Sequence, residues 1–206
     1  MTSRATARGG DVIPLRRPPT SDSELTDEAL VAACATGDPA ALGVLFDRHQ
    51  QALLRFLHRM LPGDGASAED LVQLTFLEVW RASARFRPIA SVRTWLFAIA
   101  SNVVRHRYRA ESRRRDAMSR LSAVAELGAP AHRPDDAVAH RQAVAQLGRA
   151  LEALPHELRE IFVLCEIEEV PGVEVARALR LREGTVWRRL HDARKRLRAC
   201  LQGAAR

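Results

Sequence analysis

The stretch Pro171–Leu201, PGVEVARALRLREGTVWRRLHDARKRLRACL, decides the fold. Val173, Val175, Ala176 and Leu179 mark a helix of about two turns. A few residues intervene, and Val186, Leu190, Ala193, Leu197 and Leu201 then recur at helical spacing along a longer helix. A short helix, a tight turn and a longer helix form a helix-turn-helix pattern. The longer helix carries Arg188, Arg189, Arg194, Lys195, Arg196 and Arg198 against Asp192 alone. A start near Gly184 and Thr185 puts these cations where a recognition helix meets the major groove.

Upstream, Val144, Leu147, Leu151 and Leu154, followed by Leu158, Ile161, Phe162 and Cys165, keep the helical period and complete a small lobe over 140–202. Before it the period fades. Gly128-Ala129-Pro130 and Pro134-Asp135-Asp136 punctuate the stretch, so 116–139 reads as a flexible linker.

A second lobe over 24–115 precedes the linker. From Asp22 to Asp47 the acidic residues Asp22, Glu24, Asp27, Glu28, Asp38 and Asp47 meet no Lys or Arg, so this lobe opens on an acidic face. Gly37-Asp38-Pro39 is a helix start: the Asp carboxylate accepts from orphan backbone N–H groups and Pro fixes the first helical φ. Leu42, Leu45, Phe46, Leu53, Phe56, Leu57 and Met60 follow at helical spacing until Leu61-Pro62-Gly63 stops them. Ser67-Ala68-Glu69-Asp70 resembles a capping box that opens a helix to about Arg81. Its apolar residues cover more than one face, which suits a helix buried on one side and docked to a partner on the other. After a connector broken by Pro88, Val92, Trp95, Leu96, Ile99 and Val103 mark one stripe of a helix to about Arg113. The other side holds Arg105, Arg107, Arg109, Arg113, Arg114 and Arg115 against Glu111 alone, a dense phosphate-binding face.

The 206 residues carry a formal charge of +7, which points to an anionic partner. Among 32 basic residues only Lys195 is a lysine, so lysine-based covalent chemistry has almost no candidate. Cys34, Cys165 and Cys200 form no C-x-x-C pair and read as reduced residues of a cytoplasmic protein. No apolar run reaches 18 residues, and the basic stretch 1–23, a disordered leader, has no apolar segment of the kind a signal peptide needs, so no membrane insertion is expected. The histidines at 49, 58, 106, 132, 140, 156 and 191 give no pair with metal-ligand spacing. No glycine-rich phosphate loop or nucleophile elbow is present, so neither a catalytic residue, a metal nor a cofactor is expected. Two readings of Trp95 stand side by side: a core residue on the Val92 stripe, or, with Arg85, Phe86 and Arg87, part of a loop that receives unstacked bases.

With these segments on the page, the chain resembles bacterial sigma factors of the extracytoplasmic-function group, in the primary sigma superfamily. Glu69-Asp70-Leu71-Val72-Gln73 with Thr75-Phe76 and Trp80 is similar to the segment that grips the clamp helices of RNA polymerase. Ser91-Val92-Arg93-Thr94-Trp95-Leu96 with Ile99-Ala100-Ser101-Asn102 is similar to the promoter-melting and minus-ten segment. Leu154-Pro155, Arg159, Phe162, Leu164, Val175-Ala176, Gly184-Thr185-Val186, Arg189-Leu190-His191 and Ala193-Arg194 resemble the minus-thirty-five domain. The resemblance implies an all-α fold of two small helical domains, a region 2 bundle and a region 4 helix-turn-helix. It implies polymerase contacts at Glu69, Asp70, Leu71, Gln73, Phe76 and Trp80. Minus-ten binding and melting fall to Arg85, Phe86, Arg87, Ser91, Arg93, Trp95, Asn102, Arg105, His106 and Arg109. Minus-thirty-five binding falls to Thr185, Trp187, Arg188, Arg189, His191, Arg194 and Lys195. The implied partners are core RNA polymerase through its clamp helices and flap, promoter DNA and an anti-sigma factor.

Several positions depart from the family's pattern. Leu74 stands where an acidic residue is common, and His106 where Asp is. Gly172 replaces a frequent Tyr, Trp187 a common Lys, and Arg182 a frequent Ser or Pro. Arg180 replaces the Gly of the turn; a side chain at positive φ costs about 1 kcal/mol, and a reshaped turn is expected. The alternative is a helix-turn-helix regulator that acts without core polymerase, in which the helix over Glu69 to Trp80 is only core or dimer interface.

Overall fold

The computed structural model describes residues 25–61, 68–119 and 146–203. The basic leader, Ser67 of the capping box, the Pro62-Gly63 stop and nearly all of the linker lie outside the described residues. Those described are helical, with no strand among them.

The first lobe comprises α1 (Asp27–Ala35), α2 (Pro39–Met60), α3 (Ala68–Ala82) and α4 (Val92–Ser119), with a 3-10 turn at Ser83–Arg85 after α3. Thr26 caps α1 by accepting from the Ala29 N–H at 3.3 Å. Gly37 then takes φ +95°, and the Asp38 N–H reaches back to the Ala33 carbonyl at 3.1 Å, which ends α1 in a left-handed cap. One residue later Asp38 caps α2 through the Ala40 N–H at 2.9 Å, with Pro39 as the first helical residue, as the sequence predicts. Arg48 donates to Asp27 at 2.7 Å and His49 lies 2.7 Å from the other carboxylate oxygen, so α1 is stapled to α2. Leu30, Leu45, Leu53, Phe56, Leu71, Leu96 and Phe97 fill the interior, with the Phe56 and Phe97 rings 5.0 Å apart.

Two expectations for α4 are corrected. It runs six residues past Arg113, into the stretch read as linker. Its buried stripe is Val92, Leu96, Phe97, Ala100 and Val104, whereas Trp95, Ile99 and Val103 are half-buried on the neighbouring face. Both sets satisfy an i, i+3, i+4 pattern, and only the position of α2 and α3 selects between them.

The second lobe comprises α5 (described over 146–152), α6 (His156–Phe162), α7 (Gly172–Ala178) and α8 (Glu183–Gly203). A π-turn at Val163–Ile167 continues α6. Leu151, Leu154, Ile161, Leu164, Val175, Val186, Leu190, Ala193 and Leu197 are buried, while Leu201 lies beyond the packed surface and is exposed. The turn between α7 and α8 is not reshaped. Arg180 adopts φ +55°, the Leu181 N–H bonds the Ala176 carbonyl at 2.8 Å, and the Arg180 N–H bonds that of Arg177 at 3.2 Å. This is the paired cap usually closed by glycine, held here at a local cost of about 1 kcal/mol.

The lobes pack on each other through α2 and α4 against α6, the π-turn and α7. Arg159 sits in this seam, 4% exposed. Its guanidinium donates to the carbonyls of Leu151 (2.7 Å), Glu152 (2.7 Å) and Leu154 (3.0 Å) and, across the seam, to Met60 (2.9 Å). The Tyr108 hydroxyl donates to the same Met60 carbonyl at 3.2 Å, so two side chains satisfy the C-terminal end of α2.

Candidate functional site

Three surfaces emerge from this packing. The first is α3, whose Leu71, Val72, Thr75, Phe76 and Val79 face the core. Leu71 and Phe76, expected to touch polymerase, are thus buried against the lobe's own core. Glu69, Asp70 and Gln73 are exposed and Trp80 is half-buried. Among them stand Leu74 and Leu77, 47% and 51% exposed, and Leu74 also lines an open groove between α3 and α4 with Leu71, Ile99, Val103, His106 and Arg107. Leu77 was not singled out in the sequence as a surface residue. Its signal was the apolar pattern that overfilled one helix face.

The second surface is the start of α4 and the loop before it. Phe86 packs on Trp95 at 4.8 Å between ring centroids, so the loop reading and the packing reading of Trp95 meet in one place: the ring is half-buried and still lines a cleft. The cleft, about 470 Å³, gathers Arg85, Arg87, Trp95, Asn102 and Arg105 from the first lobe with Arg177 and Arg180 from the second. Arg109 is exposed further along α4, and His106 opens instead onto the groove beside α3.

Three carboxylates of the second lobe close over this surface, and sequence reading missed all three. Glu174 of α7 accepts from the Ser91 N–H and hydroxyl, each at 3.2 Å, and from the Thr94 hydroxyl at 2.9 Å. Burial works to raise its pKa, but these hydrogen bonds hold it below the usual carboxylate range. An anion thus sits on the N-terminus of α4, the favourable end of the helix dipole. Glu168, with a side chain 5% exposed, accepts from Arg59 at 3.0 Å and from Arg93 at 2.7 Å. Glu160 accepts from Arg105 at 3.0 Å. Nearby, His156 is half-buried with its Nε2 enclosed and unpaired and its ring 5.4 Å from that of Tyr108; burial pushes its pKa below the usual imidazole value.

The third surface is the outer face of α8. Gly184, Trp187, Arg188, His191 and Lys195 are exposed opposite the buried Val186–Leu190–Ala193–Leu197 stripe, and Thr185 is half-buried. Arg189 and Arg194 lie on the flanks, paired with Glu157 and Glu166. The seven residues expected there do not form one face: two are directed towards acidic neighbours in their own lobe.

An arginine-rich helix in each of two lobes, one set in a helix-turn-helix, is the arrangement of a nucleic-acid-binding protein. Residues 45–114 match the family model Sigma-70 region 2, and residues 145–197 match Sigma-70, region 4. The chain is 33% identical over 80% of its length to the ECF RNA polymerase sigma factor SigE of Mycolicibacterium smegmatis, spanning 64% of that protein. It is 28% identical over 84% of its length to the ECF RNA polymerase sigma-E factor of Salmonella typhimurium, spanning 92% of it. A solved complex of CnrH with the cytosolic domain of CnrY matches 86% of this chain and 97% of that one, at 30% identity and a TM-score of 0.61. RpoE of Bartonella quintana, solved with the anti-sigma factor NepR, shares the fold at 24% identity and a TM-score of 0.57. The chain belongs to the sigma-70 family and is an alternative sigma factor of the extracytoplasmic-function type, a transcription initiation factor.

Proposed function

We propose that the chain works in the cytoplasm as a dissociable specificity subunit of core RNA polymerase, with no catalytic chemistry of its own. The exposed face of α3, with Glu69, Asp70, Gln73, Leu74, Leu77 and Trp80, docks on the clamp helices. Region 2, over 24–115, and region 4, over 140–202, then bind the minus-ten and minus-thirty-five elements of one promoter. Arg85, Arg87, Trp95, Asn102 and Arg105, the first-lobe wall of the cleft, together with Phe86 packed on Trp95, take the opened minus-ten strand, and Arg188, His191 and Lys195 face the minus-thirty-five groove. Guanidinium contacts to phosphate set the position of each lobe, and base-edge contacts select the sequence.

The observation that carries this reading over a polymerase-independent regulator is the exposed Leu74 and Leu77 pair. A helix that already fills the core with one face and still exposes two leucines on the other presents a docking surface. CnrH and RpoE were each solved with a partner chain, and an anti-sigma protein is the partner proposed to hold this chain when idle. The closed seam has a direct consequence. Glu160, Glu168 and Glu174 occupy positions that DNA phosphates need on Arg105, Arg93 and the α4 N-terminus, so the lobes separate before the minus-ten surface is loaded.

In vitro transcription with purified core polymerase and a pool of genomic promoters tests the proposal. Initiation at a defined promoter class only when the protein is added supports it. DNA binding without initiation supports the regulator, and full initiation by a Leu74→Asp, Leu77→Asp double variant would remove the exposed leucines as the docking surface.

A further inference from the structure

A Cβ on Gly172 would stand 2.9 Å from Cζ2, 3.0 Å from Cη2 and 3.4 Å from Cε2 of Trp187. Gly172 is buried at the first position of α7. The six-membered ring of the indole therefore rests on bare backbone at the start of α7, in a seat that a side chain at 172 would take. The rest of Trp187 stays open, at 51% exposure. Along α8 it shares with Gly184, Arg188 and His191 the i, i+3, i+4, i+7 face turned away from the buried stripe. Nothing lies within 4 Å of a Cβ built on Gly184, so the approach to this face is clear. The two departures from the family's pattern at 172 and 187 are thus one physical unit: loss of a side chain on α7 makes room for a large ring on α8.

A rigid apolar surface on a recognition helix has one complementary feature among base edges in the major groove, the C5-methyl of thymine. Cationic neighbours such as Arg188 read guanine acceptors instead. We infer that Trp187, seated on Gly172, is a specificity-determining residue of the minus-thirty-five contact and selects thymine at one position, with Gly172 as its positioning residue. This rests on the reading of α8 as the minus-thirty-five helix.

The test is selection from a promoter library randomised over the minus-thirty-five region, using holoenzyme assembled from core polymerase and the full chain. Three variants accompany the wild type: Trp187→Lys, Gly172→Ala and, as a control on α2 where a Cβ meets nothing within 4 Å, Gly43→Ala. Gly172 is not in the left-handed region, so alanine suits its backbone, but the added Cβ must displace the ring. Wild type and Gly43→Ala are expected to enrich thymine about tenfold at one position, the discrimination that a good base contact supplies. Trp187→Lys is expected to lose that preference while keeping the others, and Gly172→Ala to weaken it at the same position. A uniform fall in output across all sequences overturns the inference and makes Trp187 a protein-docking residue. Unchanged profiles in both variants overturn it as well, while leaving α8 as the reading head. No enrichment by the wild type overturns the reading of α8 itself.

Discussion

Replacing Glu168 by Gln should open the protein. Its carboxylate holds Arg59 and Arg93 at 3.0 and 2.7 Å from a side chain only 5% exposed. A charge-assisted hydrogen bond contributes roughly 1.5–3 kcal/mol when well shielded. Here the arginine ends are 33% and 42% exposed, and water that stabilises the freed guanidinium groups discounts each contact towards the surface value. The amide also retains one acceptor. About 1–2 kcal/mol of closed-state stability should therefore go, a shift of roughly 5- to 30-fold in the balance between closed and open lobes. Cys200 is exposed on α8 and Gln73 is exposed on α3, so dyes on Cys200 and on Gln73→Cys report the separation by energy transfer. The variant should show lower transfer, tighter binding of single-stranded minus-ten oligonucleotide and an unchanged helical signal. Salt should likewise lower energy transfer in the wild type, since screening weakens the partly exposed arginine ends. If E168Q leaves both transfer and oligonucleotide affinity at wild-type values, the carboxylate clasp does not hold the lobes and the reasoning fails.

Three further outcomes follow from the same geometry. Arg159→Met removes the donor to four carbonyls, of which that of Met60 keeps the Tyr108 hydroxyl; each of the other three costs about 1 kcal/mol, so a fall in Tm of roughly 6–12 °C is expected by calorimetry; a change under about 2 °C would contradict the seam. Burial depresses the folded pKa of His156 below 6.5, so the folded state binds fewer protons than the unfolded chain as acid is added. Stability should hold above about pH 6.5 and fall as pH drops from there towards the lower folded value, and His156→Phe should flatten melting temperatures between pH 7.5 and 5.5, whereas an undiminished slope would exclude His156. Arg188→Ala should cost roughly 1–3 kcal/mol of minus-thirty-five discrimination, and Arg189→Ala less, because Arg189 is paired with Glu157; equal losses in promoter selection would reject that ordering.

Much of this architecture was legible residue by residue. The Gly37-Asp38-Pro39 boundary and the α7–turn–α8 unit depend on neighbours within a turn or two, and a helix expresses such information locally; the side chains of Arg113, Arg114 and Arg115 lie outside the described residues. The match of motif order to the sigma pattern is of the same kind. Where two local solutions were nearly equal, the reading slipped: Val103 and Val104 both continue a period of 3.6, and burial chose Val104 because α2 and α3 lie on that side. The turn at Arg180 went the other way. A steric penalty visible in the sequence was outweighed by two backbone hydrogen bonds and by the packing of Leu181.

The sequence by itself determined the helices, their two groups and the cationic faces, because periodicity, caps and charge spacing act over a few residues. Only the tertiary structure decided which arginines are free. Glu160, Glu168 and Glu174 find partners 55 to 109 residues away, and no local pattern records a contact that long-range folding creates. Electrostatic attraction is set by distance in space and by exclusion of water, and both come into being when the lobes meet.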